Sequence, residues 1–418
     1  MRRAAFHLQL ITQDLTFMPL TASALTEDRR DQALALVTRA FDGKTSYDYF
    51  ESHQSLDPLW DVSQSLVIQN DASIMAHLWL AKRTLRYGLG RINVGCIADV
   101  AVDPEHRRKG HAGLLLDEAI QQMQLNNQPL SLLSAGTPEV YSSRGWHPIP
   151  TSRLEAELPS GNIEWSGGHT VRPFEPGDLL EVQRAYDEIS ADRVGPLDRS
   201  DAYWTAMHRW LQHHQSGIDV HFDVLLRVGK VVGYAITSLS DQAVTILDGG
   251  IEYDDLALPL LRTWRDRATK RNVTRITGEL DPASKLFDVL RKRAAGRIEP
   301  TTHYMVRLNS LRLLLESAVP EFVRRRRRAA PLPGPTFVLD VEGQQVRIET
   351  PIGNIVIGDP VGDEPVINLT NAQFLDLFLG LTSGHKVLDE IAPDRHIDVY
   401  LRRLFPASPF SYWLADRF

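Results

Sequence analysis

Seven consecutive residues, Arg107-Arg108-Lys109-Gly110-His111-Ala112-Gly113, gather three cations and two glycines in one short stretch. Where such a stretch opens a helix it suits a phosphate, because the first backbone N–H groups lack internal partners and the helix dipole favours negative charge. Gly110 and Ala112 leave room for a pyrophosphate to lie against the main chain. The spacing Arg-x-x-Gly-x-Ala is not the dinucleotide G-x-G-x-x-G. Nor is there a P-loop, since Gly43-Lys44-Thr45 lacks the earlier glycine. A second candidate is Tyr141, in the segment AGTPEVYSSRGWHP, whose hydroxyl could donate a proton or could simply be a satisfied core hydroxyl. A third lies in LFPASPFSYWLADRF, where Phe405, Phe410, Tyr412, Trp413, Leu414 and Phe418 are available for burial. Chain ends are usually polar and frayed, so one this apolar is expected to dock and to carry the Phe418 carboxylate with it.

Local elements position these groups. Ile97, Val100 and Val102 read as a strand that Asp103-Pro104 stops, since proline cannot donate to a ladder. After the basic loop, Leu114, Leu115, Ala119 and Ile120 share one helical face. Upstream, residues 26–41 read as a helix with Ala33, Leu36, Val37 and Ala40 inward. Residues 65–69 and 74–81 read as a hairpin around Asn70-Asp71. The aromatic stretch from Tyr47 to Trp60 either lines a pocket or completes a core. Residues 129–134 form a further strand. Gly136-Thr137-Pro138 then opens a short helix holding Tyr141, which Gly145-Trp146 ends.

Residues 170–308 repeat this plan loosely: strand and helix, a hairpin turning at Gly229, then strand, loop and helix, with VTRITGEL and THYMVRL as closing strands. In place of the basic loop stands Gly250-Ile251-Glu252-Tyr253-Asp254-Asp255, whose carboxylates would repel a pyrophosphate. This copy is therefore expected to bind no such ligand and to be structural or to wall the pocket. His208, His213 and His214 lack metal-ligand spacing and read as a surface cluster. Residues 309–328 form a helix ending in five arginines, expected as a solvated end or a contact between subunits. Residues 329–335 are a linker by composition. Strands and then a helix at 370–381, capped by Thr370 or Asn371, finish the chain.

Length and composition set the frame. At 418 residues the chain has room for two or three domains, and 43% hydrophobic with 24% charged residues is ordinary globular usage. A net charge of −7 advertises no nucleic acid and suits an amine or polycationic substrate. The single Cys96 excludes an intramolecular disulfide framework and points to a reducing compartment. Polar residues interrupt the apolar run near the N-terminus, so residues 1–17 read as an extension rather than a leader. No run of about 18 apolar residues exists to span a membrane.

The strand, proline break, basic loop and helix resemble the acetyl-CoA loop of the GNAT acetyltransferases. An intact copy, a degenerate copy and a small terminal unit ending in phenylalanine together resemble the enhanced-intracellular-survival (Eis-type) acetyltransferases over residues 18–418. The resemblance implies an α/β (mixed α+β) chain of two tandem GNAT folds followed by a small sterol-carrier-type (SCP2-like) α+β domain. Its parts would be an extension at 1–17, a catalytic domain at 18–155, a degenerate one at 156–308 and the terminal domain at 309–418. It implies acetyl transfer from acetyl-CoA, without metal, to primary amines, aminoglycosides and other polyamine-like substrates among them. It also implies a cytoplasmic hexamer with no nucleic-acid partner. Val100, Ala101 and Val102 would hold pantetheine, and Arg107, Arg108, Lys109, Gly110, His111, Ala112 and Gly113 the pyrophosphate, with Gly136 and Thr137 nearby. Tyr141 would be the general acid and the Phe418 carboxylate the general base. Trp146 stands where the family often has tyrosine. The rival readings are a binding protein for an apolar ligand, and an acetyltransferase of protein lysines or N-termini.

Overall fold

The computed structural model describes residues 20–41, 45–161, 163, 168–213, 218–294, 296–327, 334–391, 393–408 and 410–416. The extension at 1–17 and Phe418, with its carboxylate, lie outside the described residues.

The first unit follows the sequence closely. It runs β1 (Ala22–Ala24), α1 (Arg30–Ala40), α2 (Tyr47–Ser55), β2 (Ser65–Gln69), β3 (Ile74–Tyr87), β4 (Gly90–Val102), α3 (His111–Leu125), β5 (Leu130–Ser134), α4 (Pro138–Ser142) and β6 (His147–Glu157). Asn70 shapes the expected hairpin turn, its Oδ1 accepting from the Ala72 and Ser73 N–H groups. Thr26 gives no side-chain cap, and a 3-10 turn at Glu27–Arg29 precedes α1. Leu115, Leu116, Ala119 and Met123 bury α3 on one face of the sheet, while Ala33, Leu34, Leu36 and Val37 bury α1 on the other.

The second unit runs β7 (His169–Pro173), α5 (Leu179–Ser190), β8 (Val194–Leu197), α6 (Asp201–His213), β9 (Asp219–Arg227), β10 (Lys230–Leu239), β11 (Val244–Ile251), α7 (Ala257–Thr269), β12 (Arg275–Glu279), α8 (Lys285–Arg293) and β13 (Arg297–Leu308). Val228 and Gly229, both at positive φ, make the expected turn between β9 and β10. The two units share one continuous sheet, in the order β1-β2-β3-β4-β5-β13-β6-β12-β11-β10-β9-β7. THYMVRL therefore does not simply close the second copy. Tyr304–Leu308 pairs with Ser134–Leu130 of β5, so the last strand of the second unit completes the sheet of the first. Reciprocally, Arg153–Glu157 of β6 pairs with β12. Each unit lends the other a strand, and β6 runs through residue 155.

The third unit comprises α9 (Leu311–Arg327), β14 (Phe337–Val341), β15 (Gln344–Glu349), β16 (Val356–Gly358), β17 (Val366–Leu369), α10 (Asn371–Phe378), α11 (Thr382–Ile391) and α12 (Arg395–Leu404). Its sheet is ordered β16-β15-β14-β17, and Thr370 caps α10 in a capping box with Gln373. The arginine run is only partly solvated: Arg327 is exposed, whereas Arg324, Arg325 and Arg326 are held inside the chain. Arg324 and Arg325 grip the fully buried Glu321, Arg325 also donates to Tyr87 Oη and the Leu404 carbonyl, and Arg326 donates to the carbonyls of Pro351 and Asn354. Burying Glu321 demands nearby cations, so the run is an internal clamp between the units. Of the three histidines, only the His208 side chain is described, and it is half-buried; that of His213 lies outside the described side chains. The His208 ring packs 5.3 Å from Phe174 and 5.7 Å from Phe222, while His214 lies outside the described residues.

Candidate active site

The basic loop sits where the sheet comes apart. Parallel pairing between β4 and β5 runs from Val94–Leu130 to Ile97–Leu133 and stops there. Beyond it Ala101 and Val102 pair with His77 and Ala76 of β3, Val100 falls in a slip of that register, and the other edge of all three is open toward β5. The cause is a bulge: the β3–β4 register slips between His77 and Trp79, and Asp99 takes a φ of 50°. His77 Nδ1 lies 3.1 Å from the Asp99 carbonyl oxygen and helps fix that bulge.

At the end of β4 the Asp103 side chain caps the 3-10 turn Pro104–His106. Arg108 (φ 62°) and Gly110 (φ 84°) then turn the chain into α3. The first helical bond runs from the Leu114 N–H to the Gly110 carbonyl, which leaves the N–H groups of His111, Ala112 and Gly113 without helical partners. Arg108 and Lys109 are exposed, and a Cβ on Gly110 would meet nothing within 4 Å. Arg107 instead donates to the Val102 and Ala40 carbonyls and pins the loop to α1. His111 is buried, and neither ring nitrogen has a hydrogen-bond partner. Burial and the neighbouring His106 and Lys109 hold it below the usual histidine range, hence neutral. Across the groove the first turn of α3 is bridged by Arg144, whose Nε lies 2.7 Å from Asp117 Oδ1. A Cβ on Gly113 would come within 2.3 Å of that guanidinium, so a larger residue there would displace Arg144. Exposed cations, unpaired N–H groups and an orphaned buried imidazole fit a pyrophosphate. Gly136 and Thr137, also exposed, open α4 at the end of β5.

Two groups could handle protons. Tyr141 lies in α4, half-buried, with its ring 6.3 Å from that of Trp146, and burial raises its pKa. Trp146 is itself buried and donates to Ser131 Oγ at 3.2 Å, which fixes the floor under Tyr141. Asp99 went unremarked in the sequence. Burial pushes its carboxyl up to about 7, against the opposing pull of the Gln54 amide of α2. The signal was available as an acid inside an apolar strand, but the bulge that turns it inward is a feature of pairing.

The chain end docks as expected. Phe410 bridges to Val194, and the Ser411 N–H donates to the Val194 carbonyl at 2.9 Å. Gly195 (φ 113°) permits this approach, since a Cβ there would lie 2.3 Å from the Ser411 carbonyl oxygen. Tyr412, Trp413, Ala415 and Asp416 are buried. Arg199 of the second unit holds Asp416 Oδ1 at 2.9 Å and Oδ2 at 2.6 Å, and Asp248 at 2.6 Å. Ala415 reaches a narrow slot between α2, β3 and α6, lined also by Leu56, Arg83, Met207 and Trp210. Of the aromatic stretch, Phe50 is buried core and Tyr49 packs 5.9 Å from Trp210, beside that slot.

In the second unit the corresponding corner is differently built. Five residues, not eight, separate β11 from α7. Burial and Glu188 raise the Glu252 carboxyl, and the Ile189 side chain lies 2.0 Å from where a Cβ on Gly250 would stand. Among the described residues no group of three or more His, Cys, Asp and Glu side chains could hold a metal.

Residues 21–149 match the sequence pattern of the acetyltransferase (GNAT) domain. No curated protein matches the chain significantly. Among solved structures, the GCN5-related N-acetyltransferase of Anabaena variabilis superposes with a TM-score of 0.71 at 16% identity, covering 96% of this chain and 100% of that one. That of Kribbella flavida gives 0.69 at 18%, covering 96% and 98%. Eis1 of Mycobacterium abscessus gives 0.62 at 14%, covering 95% and 99%. At such identities these likenesses speak for the fold. The domain match marks residues 21–149 as a GNAT acetyltransferase domain.

Proposed function

We propose that the chain transfers an acetyl group from acetyl-CoA to a primary amine by direct attack on the thioester. The observation that carries this reading is the corner formed by the freed β4 edge, the exposed Arg108 and Lys109, and the unpaired N–H groups at the start of α3. Val100, Ala101 and Val102 offer the pantetheine amides a strand edge; residues 108–113, with Gly136 and Thr137, surround the pyrophosphate. The amine must first lose a proton, since its pKa near 10 leaves it charged at neutral pH. Its nitrogen lone pair then forms the C–N bond, a backbone N–H of the β4 edge stabilises the oxyanion, and the C–S bond breaks. Tyr141, kept protonated by its raised pKa, donates its proton to the leaving thiolate and is restored by the surplus proton that the new amide nitrogen sheds as the intermediate collapses.

Two carboxyls compete for the role of base. The resemblance implies the Phe418 carboxylate, two residues beyond the buried Asp416. Asp99 is the described carboxyl whose pKa near 7 suits proton abstraction at neutral pH. We divide the chain into the catalytic unit at 18–155, the second unit at 156–308 as a wall and anchor, and a sterol-carrier-type unit at 309–418. The last is structural in this reading, because Phe337, Phe374 and Phe378 fill its core. The Eis-type likeness also carries the hexameric assembly and the cytoplasmic setting. Among the described residues no helix is long and apolar enough to cross a membrane.

Acetyl-CoA-dependent release of free thiol across a panel of small amines, peptides and an intact protein tests the reading. Turnover with amines that falls in Tyr141→Phe supports it. A preference for peptide N-termini or protein lysines would move the acceptor to the rival class.

A further inference from the structure

We propose that the slot between α2, β3 and α6 receives the acceptor, and that the acceptor is a compact primary monoamine with a short apolar body, not a polycation. The reaction assigned to this slot rests on the acetyl-transfer reading above; the chemistry of the slot does not.

Its position follows from strand pairing. Trp79 opposes Ala98 and Arg83 opposes Val94, which sets these side chains on one face, whereas Leu80 and Ile97 point to the other, against α3. The His53 ring of α2 meets Trp79 edge-on at 5.3 Å, so α2 and the slot lie on the face opposite the basic corner. In this proposal the route between the two faces is the gap where β4 parts from β5, beyond Ile97 and Leu133. A donor held at α3 and an acceptor held at α2 would thus meet along the freed edge of β4.

The lining states what fits. Leu56, Met207, Trp210 and Ala415 present apolar surface. The slot's one ion pair, Arg83 with Asp57, is self-neutralising, each side chain only 4% exposed. Farther out, Asp31 of α1 accepts from Tyr47 Oη at 2.9 Å, and Glu51 of α2 lies 3.6 Å from Arg30. Among the described residues that line the slot, no carboxylate is left unpaired to hold a second ammonium. An acceptor with several ammonium groups would be stripped of water and left unpaired. The slot is half open to solvent, and the space inside it, about 30 Å³, holds the equivalent of about two waters or a short alkyl group.

Steady-state rates with n-butylamine, spermidine and kanamycin, read by thiol release, test this on the full chain. The expected result is a kcat/KM at least tenfold higher for n-butylamine, with Trp210→Ala shifting the preference toward benzylamine. Equal or faster turnover of kanamycin or spermidine overturns it. A second readout does not depend on turnover: the ¹³C-methyl resonance of Met207, assigned with Met207→Leu, should move on addition of n-butylamine. That shift without any acetylation would sink the acetyl-transfer reading and leave the slot standing. A Met207 resonance indifferent to n-butylamine overturns the slot.

Discussion

Arg199 and Asp416, 217 residues apart, meet side-on through two hydrogen bonds with no solvent exposure of either side chain. Arg199 also carries Asp248 and lies over the rings of Tyr186 at 4.3 Å and Trp204 at 4.5 Å. The end of the chain is thereby fastened to the second unit, two residues before Phe418, although Ala415 faces a slot bounded by the first. The second unit contributes an anchor where it lacks a basic loop.

Removing that anchor should be costly. Arg199→Met leaves two buried carboxylates without their cation, and such losses run to about 3–5 kcal/mol. The expected result is a lower urea midpoint and faster trimming by carboxypeptidase. Asp416→Asn, which keeps a hydrogen-bonding group, should release the end with a smaller loss of stability. A variant Arg199→Met as stable as the parent, with its end still protected, would contradict the clamp.

The pH–rate profile separates the two bases. If Asp99 takes the proton, kcat/KM should rise with pH through an apparent pKa near 7, and Asp99→Asn should lower it about 10²-fold or more and flatten that limb. If the Phe418 carboxylate acts, one alanine appended after Phe418 should do the damage while Asp99→Asn retains its rate. Both variants should bind coenzyme A unchanged.

Tyr141→Phe should leave coenzyme A affinity intact and reduce kcat by about 10²-fold or more. Unchanged turnover would remove Tyr141 from the mechanism and make it core.

Acid should loosen the fold through His77. Burial holds this imidazole near pKa 4, below its unfolded value of 6.5, so the folded state favours the neutral ring. As pH falls below 6.5 the unfolded chain takes up a proton that the folded one resists. Stability is lost down to about pH 4, by about 3 kcal/mol in all. Urea midpoints of the parent and His77→Gln, compared between pH 7 and 4, should converge. A constant gap would refute the assignment.

Much of the first unit could be read from local pattern, because its signals are local. The Asp103-Pro104 stop, the Gly145-Trp146 end of α4 and the Asn70 turn each act within a few residues. The exchange of β6 and β13 could not be read, since an alternating strand does not announce which neighbour it will pair with. The same holds for Asp99, whose pKa comes from a bulge set by β3. Arg324–Arg326 look solvated in sequence because their partners, Tyr87, Pro351, Asn354 and Leu404, lie far along the chain. Of the aromatic stretch after Tyr47, Phe50 completes the core, and the slot is lined by its neighbours His53, Leu56, Asp57 and Pro58 rather than by its aromatic rings.

The central claim is that one corner of this chain, and not its copy, holds a nucleotide's linked phosphates. Isothermal titration with coenzyme A tests it most directly, on the parent and on the double variant Arg108→Glu, Lys109→Glu. The account predicts one site per chain in the parent, weakened at least tenfold in the variant while Glu252→Gln changes nothing. No heat with the parent, or a stoichiometry of two, would contradict it.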